Sequence, residues 1–193
     1  MRLLTRLVRA LGRRRPLPSE LDAPTTWTQR LVGGKQAFRR GDFTKAEERF
    51  TAAFKGADVN GSLNHRAAAA LNNLGIVYTH QKNFVQAEIA LRRALRAYAV
   101  MEPEGTRIAS VLCNLATVHQ ARRRYAEAAR LFQQAIAMTE KVLGSKHPKL
   151  AKRLAGYARL LEKMNDPTRA EKLRERVRAI RAREKNGKNL ATS

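Results

Sequence analysis

An apolar frame that recurs every 41–42 residues constrains the fold of this chain more than any other feature of its sequence. Each frame has a small residue and an alanine twelve positions after it. The small residues are Gly34, Gly75, Ala116 and Ala158, and the alanines are Ala46, Ala87, Ala128 and Ala170. A period of this size is typical of stacked supersecondary units, none of which buries its apolar face alone. We therefore predict an all-α stack of helix hairpins, a class of fold that binds other molecules more often than it catalyses.

Turn signals divide residues 27–185 into four helix pairs. The aromatic content of only 6% also favours packed helices over sheets, because aromatic residues are enriched in strands. The predicted helices span residues 27–40 and 43–55, 65–81 and 84–101, 106–123 and 125–143, and 149–164 and 167–185. The repeat units cover about 27–60, 68–101, 109–143 and 151–185. Small residues at each seam let the two helices of a pair approach closely, and a larger side chain there would wedge them apart.

Residues 1–15 contain six arginines and no acidic residue. Arginines at helical spacing oppose leucines and a valine, which predicts a basic amphipathic helix. Those arginines are Arg2, Arg6, Arg9 and Arg13. The segment is typical of mitochondrial targeting sequences or of helices lying on anionic membranes, and an ordinary basic helix docked on the body is the third alternative. Residues 16–26 are predicted to be a proline-containing linker, and residues 186–193 a flexible tail.

The formal net charge of +23, with a sequence pI near 11.4, is large for a chain of 193 residues. Such a charge attracts polyanions such as nucleic acid, anionic lipid head groups or acidic proteins. It also repels itself, so we expect the chain to reside in a complex that neutralises it. A soluble basic protein with scattered charge is the alternative.

The sequence offers no constellation of residues for catalysis. The four histidines lack metal-ligand spacing, and the single cysteine, Cys113, excludes an internal disulfide. We expect Cys113 to be a buried, inert thiol, His119 to be a packed and hydrogen-bonded core residue, and His147 to start a helix. No phosphate-cradling glycine loop and no stretch of about 18 apolar residues is present. The prediction is a non-enzyme without cofactor, metal or small-molecule substrate.

Several segments resemble the tetratricopeptide repeat, among them GDFTKAEERFTAAF and LNNLGIVYTHQKNFVQAEIALRRAL. The later units are similar to the longer kinesin-light-chain type, which ends in a Gly-x-x-His-Pro turn, here residues 144–148. The resemblance covers about residues 27–177 and implies a right-handed α-solenoid that binds peptides and proteins. The fourth unit departs from the pattern at Pro167, Arg174 and Val177, as a terminal capping repeat does.

The resemblance also implies a concave groove lined by the first helix of each pair. Its residues here would be Lys35, Arg39, Asn73, Ile76, His80, Asn114, Thr117, Gln120, Lys152, Arg159 and Lys163. Asn73 and Asn114 match the family's groove asparagines, whose amides hold the backbone of a ligand. The carboxylate clamp of chaperone-binding members is not reproduced, because Leu31 and Ser110 occupy places where that clamp needs cations.

A second candidate surface consists of basic residues near the C-terminus, where residues 149–188 carry fourteen Lys and Arg against five acids. Arginine pairs bidentately with phosphate oxygens, so this surface is predicted to bind a polyanion such as RNA. The predicted residues are Arg122, Arg123, Arg124, Arg174, Arg176, Arg178, Arg181 and Arg183. A solvated helix with internal Glu–Arg pairs is the alternative.

Charge, leader and repeats together predict a scaffold that docks into a polyanion-containing assembly, with a mitochondrial ribonucleoprotein such as the organellar ribosome preferred. The predicted location is the mitochondrial matrix side, and a bacterial cytoplasm or membrane periphery is the alternative. Two other functions stay open. One is a peptide-binding adaptor that works through the groove, and the other is a respiratory-complex assembly factor held on an anionic membrane by residues 1–15.

Overall fold

The computed structural model describes residues 26–57, 63–103 and 105–190, with side chains described up to residue 185. The predicted leader, residues 16–25 of the linker and residues 191–193 lie outside the described residues. Arg2, Arg6, Arg9 and Arg13 belong to that leader, so the prediction made for them is not tested by this structure.

Eight α-helices and no strand make up the described part of the chain. They are α1 (Trp27–Arg39), α2 (Phe43–Lys55), α3 (His65–His80), α4 (Phe84–Met101), α5 (Thr106–Ala121), α6 (Tyr125–Leu143), α7 (Pro148–Lys163) and α8 (Pro167–Leu190). The prediction of an all-α fold is confirmed, and seven of the helices match their predicted bounds to within two residues. The eighth continues to Leu190, beyond the predicted end at residue 185.

The helices pack as four antiparallel hairpins, α1–α2, α3–α4, α5–α6 and α7–α8, and the second helix of each hairpin contacts the first helix of the next. The first helices also contact one another in series, from α1 through α3 and α5 to α7. The second helices make no comparable contacts with one another in the described part of the chain. The stack therefore curves with α1, α3, α5 and α7 on its concave side, which is the arrangement of an α-solenoid.

Glycines at the seams allow the close approach that the sequence predicted. A Cβ atom on Gly34 would lie 2.6 Å from the ring of Phe50, and one on Gly75 would overlap Leu91. Phe50 and Leu91 each lie sixteen residues after the glycine and are buried. The same spacing of sixteen residues recurs in both hairpins. The repeated small residues therefore mark the positions at which the two helices of a pair come into contact.

All four hairpin turns place a residue in the left-handed region at one register position. These residues are Gly41 (φ 79°), Lys82 (φ 61°), Arg123 (φ 60°) and Asn165 (φ 58°). In each turn the following residue donates its backbone N–H to a carbonyl five positions back, for example from Asn83 to Tyr78 at 2.8 Å. This hydrogen bond ends the first helix with the pattern of a Schellman motif.

Candidate functional site: the concave groove

A cavity of about 430 Å³ opens on the concave face between α3, α5 and α7. Five of the predicted groove residues line it, namely Ile76, Asn114, Thr117, Lys152 and Arg159. The rest of the lining is Asn72, Ser110, Cys113, Phe132, Lys149, Arg153 and Gly156. The volume falls within the range of ordinary ligand sites, about 300–1,000 Å³.

Two asparagine amides meet at the α3 edge of this cavity. The Nδ2 atom of Asn114 donates to Oδ1 of Asn72 at 2.9 Å. This hydrogen bond leaves the Asn72 amide nitrogen and the Asn114 amide oxygen without a hydrogen-bond partner in the described residues, so they can bind a peptide backbone. Asn114 therefore lies in the groove as predicted. Its partner Asn72 also lines the groove but was not among the predicted residues.

Asn73 does not take the role predicted for it. Its Nδ2 atom donates to the carbonyl oxygen of Ala69 in its own helix at 2.7 Å, and it does not line the cavity. Asn114 bonds to the residue 42 positions earlier, which lies in the preceding unit and is Asn72. The residue 42 positions before Asn73 is the apolar Leu31, which offers no hydrogen-bond partner. Without a polar partner across the units, the Asn73 amide bonds to its own helix.

The remaining predicted groove residues lie outside this cavity. Lys35 and Arg39 are exposed on α1, and Lys163 is exposed at the end of α7. The ring of His80 packs against Phe38 and Phe43, with centroid separations of 4.9 and 5.3 Å. Gln120 is half-buried near the end of α5.

A buried arginine, Arg153, lies among the residues that line the cavity, and it was absent from the predicted set. Only 6% of its surface is exposed. Its Nη1 atom donates to the carbonyl oxygen of Lys149 at 3.0 Å. Its Nη2 atom donates to the carbonyl oxygen of Thr106 at 3.2 Å and to Oγ of Ser110 at 3.0 Å. The Nε atom has no hydrogen-bond partner in the described residues.

The sequence did contain a signal for Arg153. The corresponding positions of the two preceding units hold the buried apolar residues Ala70 and Val111. A charged side chain at a core position of the frame breaks the repeat, and such breaks mark functional sites more often than errors of packing. Burial lowers the pKa of the Arg153 guanidinium from its ordinary value, and the nearby Cys113 raises it again in part.

Cys113 forms part of the same wall and is half-buried. Burial raises the pKa of its thiol to about 11, and the adjacent Arg153 offsets part of that rise. The thiol is therefore protonated at neutral pH, in line with the predicted unreactive cysteine.

The charge of the cavity lining is wholly positive in the described residues. Lys149, Lys152 and Arg159 are exposed, and Arg153 lies behind them. No Asp or Glu lines the cavity, and no ion pair of these four cations is found in the described part of the chain. The groove therefore presents a concentrated positive field beside two amides.

Half of the eight arginines of the predicted polyanion surface are engaged in ion pairs. Arg174 pairs with Glu162 and with Glu171, and Arg176 pairs with Glu140. Arg178 donates to Glu171 at 2.7 Å. Exposed ion pairs of this kind contribute little to stability, but they reduce the positive charge that these three arginines offer to a polyanion. Within residues 26–185, Arg181 and Arg183 are exposed and form no ion pair.

The three arginines at the third hairpin turn have different structural roles. Arg122 donates to Glu88 of the preceding unit at 2.9 Å. Arg123 supplies the left-handed turn residue, and Arg124 is the exposed residue immediately before α6. Of these three arginines, Arg123 and Arg124 are exposed and form no ion pair with another described residue.

A polar cluster around His119 links the second unit to the third. His119 is 7% exposed, and burial lowers the pKa of its ring, while Glu88 acts in the opposite direction. A hydrogen bond from Arg92 holds the pKa of Glu88 below its usual value. The burial predicted for His119 is observed, but its Nδ1 atom has no partner in the described residues, so the expected hydrogen bond is missing there.

His147 starts α7, as predicted. Its Nδ1 atom accepts the backbone N–H of Lys149 at 3.1 Å, and Pro148 is the first residue of the helix. Proline is favoured at this position because the N–H that it lacks has no partner there in any helix.

The described residues contain no group of three or more His, Cys, Asp or Glu side chains that could hold a metal ion. A membrane-crossing helix would need greater length and apolar character than any helix in the described ranges has.

A family model described as "Tetratricopeptide repeat" matches residues 34–99 and 107–183, which together are well over half of the chain. The chain belongs to the tetratricopeptide-repeat family. No curated protein matches its sequence. The tetratricopeptide-repeat family, predicted from the motifs, is confirmed by this match, and the fold resembles solved kinesin-light-chain-like repeat structures. Members of this family generally bind other proteins.

Three solved structures illustrate the similarity of the fold. BtubC (BKLC) from P. vanneervenii is 23% identical with a TM-score of 0.71, over 82% of this chain and 64% of that one. A putative kinesin light chain from Podosopora anserina with nearly identical repeats is 21% identical with a TM-score of 0.65, over 93% and 83%. A tetratricopeptide repeat protein from Parabacteroides merdae is 17% identical with a TM-score of 0.52, over 78% and 51%. This chain spans less than two thirds of the first structure's length.

Proposed function

We propose that this chain is a non-catalytic adaptor that holds an extended segment of a partner protein in its concave groove. The observation that carries the proposal is the Asn114–Asn72 amide pair at the edge of an open cavity of about 430 Å³. Side-chain amides offer both a donor and an acceptor, which is what a peptide backbone requires at each residue. Because α3, α5 and α7 lie side by side, a segment crossing them contacts three successive units.

Photo-crosslinking tests the location of the bound segment. A photoreactive amino acid replaces Thr117, which is exposed and lines the cavity, and the protein is incubated with a phage-displayed library of random 12-residue peptides. We expect selected peptides to crosslink from position 117. The matched control replaces Val85, which is 60% exposed on α4 outside the cavity, and should give no crosslink.

The variant Asn114→Ala tests the amide pair directly. Loss of one hydrogen bond to a neutral group costs about 0.5–1.5 kcal/mol, so affinity for the selected peptides should fall roughly threefold to tenfold. Asn73→Ala is the control, since the Asn73 amide bonds to its own helix. Equal loss in both variants, or crosslinking only from position 85, would contradict binding in the groove.

A second candidate function is docking onto a polyanion in a larger assembly, with a mitochondrial ribonucleoprotein as the preferred setting. The net charge of +23 supports it, as do four exposed arginines without ion pairs in the described residues, Arg123, Arg124, Arg181 and Arg183. The number of arginines available to a polyanion is smaller than predicted, because four of the eight form ion pairs, namely Arg122, Arg174, Arg176 and Arg178.

Salt titration of RNA binding separates this candidate from groove binding. Each phosphate contact contributes to the slope of log affinity against log salt. Arg181→Gln with Arg183→Gln should lower the magnitude of the slope by about 1.4 for a single-stranded RNA probe, because each residue would neutralise one phosphate. Lys35→Gln with Arg39→Gln is the charge-matched control. A slope unchanged by the first pair would sink the RNA proposal for this surface.

The mitochondrial location is a separate proposal that rests on the six arginines of residues 1–15. A fusion of the full chain to a C-terminal fluorescent protein should enter mitochondria, and replacing Arg2, Arg6, Arg9 and Arg13 with glutamine should leave it outside. Equal import of both versions would contradict a targeting role for these arginines.

A further inference from the structure

We infer that Ser110 is a phosphorylation site and that Arg153 binds the phosphate group, which then closes the cavity of the concave groove. The modified residue lies on α5, and the side chain that binds the phosphate lies on α7. The effect on peptide binding rests on the proposed function, because it concerns the same groove. The modification and its ion pair do not depend on that function.

Arg153 is a buried charge without a counterion in the described residues. With 6% of its surface exposed, it donates to two backbone carbonyl oxygens and one hydroxyl, which are neutral acceptors. Its Nε atom is buried and has no hydrogen-bond partner in the described part of the chain. Buried charges in proteins are normally paired, because neutral acceptors do not compensate fully for the loss of water. A negative charge attached next to this guanidinium would supply the missing partner.

The hydroxyl that Arg153 contacts belongs to Ser110, which is exposed. Its Oγ atom accepts from Nη2 of Arg153 at 3.0 Å and donates to the carbonyl oxygen of Thr106 at 3.1 Å. Phosphorylation removes the hydroxyl proton, but the Thr106 carbonyl keeps a side-chain donor, because Nη2 of Arg153 also donates to it. The new group places three acceptor oxygens beside a guanidinium, which binds phosphate oxygens bidentately.

The cavity that Ser110 lines has the space and the charge to hold a phosphate group. Its volume is about 430 Å³, and Lys149, Lys152 and Arg159 also line it, with no carboxylate among the described lining residues. Phosphoserine carries a charge of about −1.5 to −2 at neutral pH, so it reduces the repulsion among these cations. The phosphate would occupy space that the bound segment needs.

Ser110 and Arg153 both depart from the residues at the corresponding positions one unit earlier. Those positions hold Ala69 and Val111, which are apolar. The hydroxyl and the guanidinium therefore occur together, where the preceding units have neither. Departures from a repeat frame are expected at functional sites, and a phosphate that joins the two side chains accounts for both departures.

The chain around Ser110 also has features that favour recognition by a protein kinase. Arg107 is exposed and lies three positions before Ser110, which is the kind of charge pattern that kinases read in substrates. Its ion pair with Glu102 is of the weak surface kind. Within residues 26–190 no other Ser or Thr has an arginine at that distance. The first turn of α5 opens at low cost, because its N-cap Gly105 provides no side-chain hydrogen bond.

The phosphoryl group comes from ATP, and the kinase supplies the catalytic base. The Oγ atom of Ser110 forms a bond to the γ-phosphorus, while the bond from that phosphorus to the oxygen that bridges it to the β-phosphate breaks. The hydroxyl proton passes to the base of the kinase, and ADP leaves.

Phosphoserine incorporated during translation in place of Ser110 of the full chain tests the ion pair. We expect the melting temperature to rise by at least about 4 °C. Phosphorus NMR should show the phosphate pKa, ordinarily near 6, lowered by at least about one unit relative to a phosphoserine peptide of residues 105–115. Both effects should be at least halved in Arg153→Met. Phosphoserine in place of Ala69, the corresponding position of the preceding unit, should not raise the melting temperature. A phosphate pKa equal to that of the peptide would overturn the site.

Incubation of the full chain with ATP and a kinase that selects arginine three positions before serine tests whether Ser110 is a substrate. Mass spectrometry should place a phosphate on Ser110, and Arg107→Gln should slow its addition at least tenfold. Phosphate found only on other residues would contradict the proposed modification.

Peptide binding tests the closure of the groove. Phosphoserine at position 110 should weaken binding of the library-selected peptides at least tenfold. Equal binding of peptides that crosslink from position 117 would overturn the closure and leave the groove proposal standing. A library that yields no peptide crosslinked from position 117 would overturn the groove proposal, whereas the phosphate site is decided by the melting temperature and the phosphate pKa.

Discussion

At the scale of single residues, Arg153 and His119 are the two side chains whose environment differs most from what their chemistry prefers. Each is buried, and each keeps a nitrogen without a hydrogen-bond partner in the described residues. Arg153 lies beside the groove, whereas His119 lies between the second and third units. Their consequences for the folded protein can therefore be measured separately.

Replacing Arg153 with methionine should leave the melting temperature unchanged or raise it. Exchange of a buried charge for an apolar side chain is often neutral or stabilising by about 1–4 kcal/mol, and Ala70 and Val111 show that the frame accepts apolar residues here. Thermal unfolding followed by circular dichroism measures the change. A fall of many degrees would mean that Arg153 serves mainly to hold α5 against α7.

His119 should make the protein less stable as the pH falls below about 6.5. Burial lowers its pKa in the folded state, with Glu88 and Glu127 opposing this effect and Arg124 and Arg92 adding to it. The unfolded chain, with an ordinary pKa near 6.5, then binds more protons than the folded chain, so stability is complete above that pH and declines below it.

The variant His119→Tyr tests this pH dependence, because Tyr78 occupies the equivalent place in the preceding unit. Tyrosine stays neutral in this range, so the loss of melting temperature between pH 7.5 and pH 5.5 should be smaller than in the wild type. An identical loss in both proteins would assign the acid sensitivity to other groups.

At the scale of helices and turns, all four hairpin turns contain one residue in the left-handed region, but only the first turn has glycine there. Gly41 adopts the left-handed region without penalty, but Lys82 and Arg123 hold the same conformation with a Cβ atom. The Schellman hydrogen bonds and the packing of the adjoining helices enforce this geometry. Arg123, predicted from its charge to bind a polyanion, is thus also a constrained turn residue.

Exchange of either turn residue for glycine should stabilise the protein. Left-handed backbone costs a non-glycine residue about 1–2 kcal/mol, so Lys82→Gly and Arg123→Gly should each gain up to about 1 kcal/mol after the entropy of glycine is subtracted. Chemical denaturation measures both. Lys45→Gly inside α2 should cost about 1 kcal/mol, which shows that the gain depends on the backbone conformation.

At the scale of the whole molecule, close contact between the two helices of a hairpin recurs along the stack. Gly75 lies against Leu91 with no room for a methyl group, whereas the nearest atom to a Cβ on Gly33 would be Cδ of Arg49 at 3.8 Å. Both glycines lie inside helices, but only Gly75 is in close contact with a side chain of the neighbouring helix. Substitution of each by alanine therefore separates the effect of packing from the effect of helix propensity.

Gly75→Ala should destabilise the protein by about 1–3 kcal/mol, because the added methyl forces α3 and α4 apart. Gly33→Ala should be neutral or stabilising by up to about 1 kcal/mol, since alanine favours the helix and meets no obstacle. Denaturant unfolding of the pair gives the comparison. Equal effects of the two substitutions would mean that the contact between α3 and α4 adjusts freely to the added methyl group.

The sequence alone determined the family, the number of hairpins and nearly all helix ends of this protein. These properties are repeated and local, since a helix pairs its backbone groups with itself and every unit places its small residues at the same seam. Asn114, Lys152 and Arg159 could be assigned to the groove from the resemblance to the family, whose groove positions recur in every unit.

Which side chains meet across units depends on how the helices pack in three dimensions. A shift of one residue turns a side chain by about 100° around a helix, so Asn72 rather than Asn73 faces Asn114. The ion pairs that join Arg122, Arg174 and Arg176 to other helices depend on acids up to 36 residues away, and the position of Arg153 depends on α5. Contacts between units follow from how the helices pack, and the sequence period does not encode them.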